Sequence, residues 1–201
     1  DGDGIGDNTD PDIDGDGVLN DADLCPSIPD VDLDGDGVAD CVAFDSVEVR
    51  VWGSTSMTPP VDLPGTLTAL DGGLSHLVAL DRDGTVHAWG SNGHGQATVP
   101  SGLVARAIAA GDRHTVAVRT DGTVTCWGSN ASGQCTVPTG LSGVVSVAAG
   151  DDFSVALTNT GEVHCWGSID SVPANATGVT AIAAGRDQVL ALHADGTVTA
   201  W

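Results

Sequence analysis

Fifteen aspartates crowd the first 45 residues, with no lysine or arginine among them, and their spacing is the first sign of chemistry. Asp12, Asp14, Asp16 and Asp23 stand at positions 1, 3, 5 and 12 of a loop, with Gly17 at position 6. Alternate residues of such a loop turn their oxygens toward one point. The glycine permits the sharp bend, and position 7, here Val18, adds a backbone carbonyl. The pattern returns at Asp32, Asp34, Asp36, Gly37 and Val38, followed by Asp40. A third copy lacking its first ligand reads through Asp1, Asp3, Gly4, Asp7 and Asp10. Carboxylates this dense repel one another without a cation, and an all-oxygen set suits hard Ca²⁺ over a transition metal. A disordered acidic linker is the competing reading, but it does not explain glycines in register. In the second complete loop position 12 is Ala43, so that site would draw on Asp45 or a neighbouring loop.

The rest of the chain is a repeat. Trp-Gly stands at Trp52, Trp89, Trp127 and Trp166, and Trp201 follows in the same setting, at steps of 37, 38, 39 and 35 residues. Ala-Ala-Gly recurs at Gly111, Gly150 and Gly185, with Leu70-Asp-Gly-Gly73 as a looser copy. A period in this range points to a stacked or radially repeated architecture. One period offers a small apolar run ending at Gly111 and a β-branched run, His114 to Val118. An Asp121-Gly122 turn of the type I′ kind follows, then a third strand to Trp127. A short fourth strand, Cys135-Thr-Val, is stopped by Pro138. Four short antiparallel strands without helical periodicity predict one propeller blade, in preference to a β-solenoid coil. The fold class expected is therefore all-β: an irregular calcium-loop segment over 1–45 and about four propeller blades over 46–201. Val47–Trp52 is the remnant of a degenerate first blade.

The repeat slots weigh against catalysis. His76 and His114 share a slot filled elsewhere by Phe153 and Gln188, and His87 and His164 share one filled by Thr125 and Thr199. A position that accepts Phe, Gln or Thr is neither a metal ligand nor a catalytic base. The tryptophans are expected to pack between blades, and the Ala-Ala-Gly strands to line the crowded centre. No serine has a nucleophile-elbow context, so a non-enzymatic protein is expected.

Two resemblances sharpen this. Val86-His-Ala-Trp-Gly-Ser-Asn-Gly-His-Gly-Gln-Ala-Thr-Val-Pro100 and Leu67-Thr-Ala-Leu-Asp-Gly-Gly73 resemble regulator-of-chromosome-condensation repeats, in particular those of propeller-type β-lactamase-inhibitory proteins. That family closes seven blades. The resemblance therefore implies an incomplete seven-bladed propeller, with roughly three more repeats expected after Trp201. It does not select a function, because one fold serves many. The Asp-x-Asp-x-Asp-Gly loops with interleaved Cys-Pro resemble thrombospondin type 3 repeats over 1–45, which implies a chain wrapped around a row of calcium ions. In that family disulfides bracket such loops, as Cys25 and Cys41 do here. Closing that loop is worth roughly 3 kcal/mol by chain entropy. Cys126 and Cys135 flank the turn after the third strand and could pair across it. Cys165, in the slot of Cys126 one repeat later, is the alternative partner.

The net charge is −22, which makes nucleic acid and anionic membranes poor partners. No apolar stretch approaches the roughly 18 residues of a membrane span. Asp1 is not a natural start, so a mature or trimmed chain is expected. Calcium loops and paired cysteines point to a secreted, cell-surface location. The partner expected is a protein or glycan there, or further copies of the same chain. The function expected is a calcium-stiffened adhesion module; a fibre subunit and an enzyme-inhibitory propeller are the alternatives.

Overall fold

The computed structural model describes Leu63 and residues 66–201. The expected calcium ligands Asp3, Asp7, Asp10, Asp12, Asp14, Asp16, Val18, Asp23, Asp32, Asp34, Asp36, Val38 and Asp40 lie outside the described residues. So do the Cys25–Cys41 pairing and the Val47–Trp52 strand.

Among the described residues, twelve strands form four three-stranded antiparallel sheets in simple meander order. The first sheet comprises β1 (Leu67–Gly72), β2 (His76–Asp81) and β3 (Val86–Gly90). The second comprises β4 (Ala105–Ala110), β5 (His114–Arg119) and β6 (Val124–Gly128). The third is β7 (Val144–Ala149), β8 (Phe153–Thr158) and β9 (Val163–Gly167), and the fourth β10 (Val179–Ala184), β11 (Val189–His193) and β12 (Val198–Ala200). The register repeats from sheet to sheet, including a break near the start of each first strand, between Leu67 and Ala69 or between Ala105 and Ala107.

The middle strands are the best covered, and every residue of β8 is buried. That explains why these strands read as continuous apolar runs and not as an alternation. Successive sheets stack face to face. Trp127 packs with Leu80 and Val86 of the first sheet, and Trp166 with Val116 and Val118 of the second. Phe153, Val155 and Leu157 meet Val179, Val189 and Ala191 of the fourth. Trp127 and Trp166 are thus packing residues between blades. The equivalent forward face of the fourth sheet, Leu190, Leu192 and Val198, is 40%, 40% and 59% exposed, and no described residue covers it.

Two local expectations are corrected. The hairpin turns are not type I′, because no non-glycine residue among the described residues has positive φ. Instead, Gly122 N–H donates to Arg119 O and Arg119 N–H to Thr123 O. This is a three-residue loop: a type I turn followed by glycine at φ +83°, the G1-bulge arrangement. Asp121 Oδ1 fixes it by accepting the backbone N–H and the hydroxyl of Thr123. The same bonds close the turns at Gly84, Gly161 and Gly196.

The second correction concerns Cys135-Thr-Val, which is not a strand. Asn130 Oδ1 captures the Cys135 N–H at 2.8 Å, and Asn130 Nδ2 donates to Thr136 Oγ1 at 3.2 Å. The side chain thereby takes a donor that a ladder would need. Each blade has three strands, and in the first two an asparagine-capped loop follows them.

Candidate functional site

The first strand of each sheet carries small residues at its C-terminal end: Gly72, Ala110, Ala149 and Ala184, each followed by another glycine. Together they line a cavity of about 460 Å³, as the sequence predicts for the propeller centre. At Gly73, Gly111 and Gly150 the glycine is required by crowding. A Cβ on Gly111 would lie 2.2 Å from His114 Cε1 and 2.5 Å from Gly150 O.

The rim of this cavity is polar. Asp71 Oδ2 accepts the Ala110 N–H at 2.8 Å, tying the first sheet to the second. The Asp112 N–H donates to Gly150 O, and the Asp151 N–H to Arg186 O. Arg186 Nε reaches Asp151 Oδ2 at 2.7 Å. Partial burial, and then the hydrogen bond and charge of Asp151, raise the Asp112 carboxyl above its usual range. No nucleophile or base accompanies this pair, and among the described residues no three His, Cys, Asp or Glu side chains gather as a metal site. Backbone carbonyls, the Asp112 and Asp151 carboxylates and the Arg186 guanidinium line this part of the rim.

Behind the rim lies a feature the sequence reading passed over. His76 Nε2 is 2.9 Å from Thr115 Oγ1 of the next sheet. The Thr115 hydroxyl donates to Gln96 O, and Trp127 Nε1 donates to the same oxygen. One sheet later His114 Nε2 meets Ser154 Oγ at 2.9 Å. Ser154 and Trp166 both donate to Gln134 O. Each clip joins two blades through a buried carbonyl. The Gln96 and Gln134 side chains stay buried and accept the N–H of His94 and of Ser132.

At the third interface the histidine slot holds Phe153 and the hydroxyl slot holds Val189, and the two belong to one apolar cluster. The signal was present in the sequence. His is followed one repeat later by Thr or Ser, and Phe by Val. The second histidine slot is local: His87 Nε2 lies 3.2 Å from Asp81 Oδ2 within its own sheet.

Cys126 and Cys135 are joined in a disulfide that ties β6 to the loop after it. Cys165 is buried and unpaired.

This architecture is that of β-propeller blades, similar to those of the regulator-of-chromosome-condensation type. Residues 68–96, 105–134 and 144–170 match the Regulator of chromosome condensation (RCC1) repeat, and residues 1–33 match the Thrombospondin type 3 repeat. No curated protein matches. Among solved structures, the ectodomain of the receptor kinase CR4 from Physcomitrella patens is 27% identical with a TM-score of 0.61, over 70% of this chain and 39% of that one. Prp20p of Saccharomyces cerevisiae is 22% identical with a TM-score of 0.59, over 67% of this chain and 45% of that one. Human WBSCR16 is 20% identical with a TM-score of 0.57, over 68% and 48%. The chain thus spans less than half the length of each of these structures. Among the described residues no helix is long and apolar enough to cross a membrane.

Proposed function

We propose that this chain is a secreted, calcium-binding interaction module without enzymatic activity. In it, Ca²⁺-loaded loops over 1–45 carry propeller blades that contact a protein or glycan at the cell surface. The observation that carries the reading is the pairing of two repeat types in one chain. A thrombospondin type 3 match with Asp-x-Asp-x-Asp-Gly spacing precedes blades whose cavity rim offers recognition groups and no catalytic set. The disulfide at Cys126–Cys135 suits an oxidising compartment. The CR4 structure, itself an ectodomain, is a parallel for such blades outside a cell. The study of Prp20p describes binding to Gsp1p and histones, a parallel for protein partners.

A fibre subunit is the second reading, favoured by the dense acidic loops over 1–45, which calcium could bridge between copies. An enzyme-inhibitory propeller is a poorer fit, since the chain has no Tyr and two Phe, one of them, Phe153, buried. Negative-stain electron microscopy of the full chain in calcium separates the first two. Discrete particles are expected, and filaments that dissolve on chelation would replace the module reading with the fibre.

A further inference from the structure

The two histidine clips differ from every other contact between the blades in that they depend on a neutral imidazole. The Thr115 hydroxyl donates to Gln96 O, so its oxygen can only accept from His76, which places the proton on Nε2. The same logic fixes the Nε2–H tautomer of His114 against Ser154. Both Nδ1 atoms are then bare acceptors, buried and without a partner, in rings that are 0% exposed. Each ring lies against a glycine, Gly73 or Gly111, with no space beside it for even a methyl group. A proton arriving at Nδ1 of either ring would find no hydrogen-bond partner in place, the Phe153 carbonyl beside His114 being the one backbone offset.

We propose that these two clips are acid-released catches, which hold the first three blades together at neutral pH and let them part when the imidazoles take up a second proton. The interface between the third and fourth blades, closed by Phe153 and Val189, contains no such group and stays shut. The catch therefore loosens one part of the arc and leaves the other intact. Gly73 and Gly111, packed on the two rings, also line the cavity, so release would deform the candidate recognition rim.

The surrounding charges are few. Asp71 on β1 faces His76 and works against the effect. His114 is faced by His76, which reinforces the effect, and by Asp152 and the Phe153 carbonyl, which oppose it. Burial dominates in both: it lowers the pKa of His76 and takes that of His114 from 6.5 to about 4. With the folded pKa depressed, the unfolded or opened state binds more protons between these values. For His114 the stabilisation is complete above 6.5 and is lost as pH falls toward about 4; for His76 it is lost in the same direction.

Two sets of non-titrating variants, both copied from this chain's own repeats, test the proposal in the full-length protein. One carries His76→Phe, Thr115→Val, His114→Phe and Ser154→Val, the pairing of the third interface. The other carries His76→Gln and His114→Gln, the residue of the fourth repeat. Tryptophan emission reports opening, because Trp127 and Trp166 donate across the two clipped interfaces. The wild type should red-shift as pH falls below 6.5, and the variants only at lower pH. Every carboxylate is the same in all three proteins, so the difference isolates the imidazoles. Should the fourfold variant fail to fold at neutral pH, the glutamine pair decides. A folded variant with the acid midpoint of the wild type would overturn the proposal.

Discussion

Replacing Gly111 with alanine should separate crowding at the propeller centre from ordinary surface tolerance. The added methyl would overlap the His114 ring at 2.2 Å and the Gly150 carbonyl at 2.5 Å. The carbonyl is backbone, and the ring is held by Ser154, so neither yields cheaply. Overpacking of this kind costs about 1–3 kcal/mol, and the upper end is expected because the clip to the third blade moves as well. For a protein of this size that is a fall of roughly 6–12 °C in melting temperature.

Two controls sit in the same chain. At Gly185 the nearest atoms belong to the flexible Gln188 side chain at 3.0 Å, and at Gly93 nothing lies within 4 Å. Gly185→Ala should therefore cost much less, and Gly93→Ala should be neutral or gain up to about 1 kcal/mol by restricting the unfolded chain. Thermal melts followed by tryptophan fluorescence measure all three. The reasoning fails if Gly111→Ala melts within about 2 °C of the wild type, or if Gly185→Ala loses as much.

Other outcomes follow from the cysteines. Cys165 should resist alkylation in the folded protein, since burial pushes its thiol up to about 12, and should react once the chain is denatured. Rapid labelling of the native state would contradict its burial. Replacing Cys126 and Cys135 together by serine removes a cross-link of sequence separation 9, which should cost about 2–3 kcal/mol in the chain-entropy account. Equal denaturation midpoints for the two proteins would show that the loop is held by Asn130 and Gln134 alone.

The blades were legible because their signals are local and repeated. Trp-Gly, Ala-Ala-Gly and the Asp-Gly turns mark strand ends once in each repeat, and the packing role of Trp127 and Trp166 followed from that recurrence. The turn type was not legible. Asp-Gly serves both a two-residue and a three-residue loop, and the choice here goes with the Asp121 side chain bonding Thr123.

The expected fourth strand failed for a related reason. Asn130 offers the Cys135 N–H a nearer partner than a neighbouring strand does. The histidine clips join residues 39 and 40 positions apart, so no window along the chain contains them. Comparing slots one repeat apart would have found them, since His76 and His114 precede Thr115 and Ser154 while Phe153 precedes Val189. The cavity rim was legible only as small residues. Asp112, Asp151 and Arg186 come together because successive blades bring the same loop to one place.

The central claim, that the acidic loops before the propeller are calcium sites, is tested most directly by isothermal titration calorimetry of the full chain with Ca²⁺. Two or more ions should bind, and at least one site should disappear when Asp12, Asp14 and Asp16 are replaced together by alanine. A chain that takes up no calcium, or a triple variant that binds as many ions as the wild type, would contradict the account.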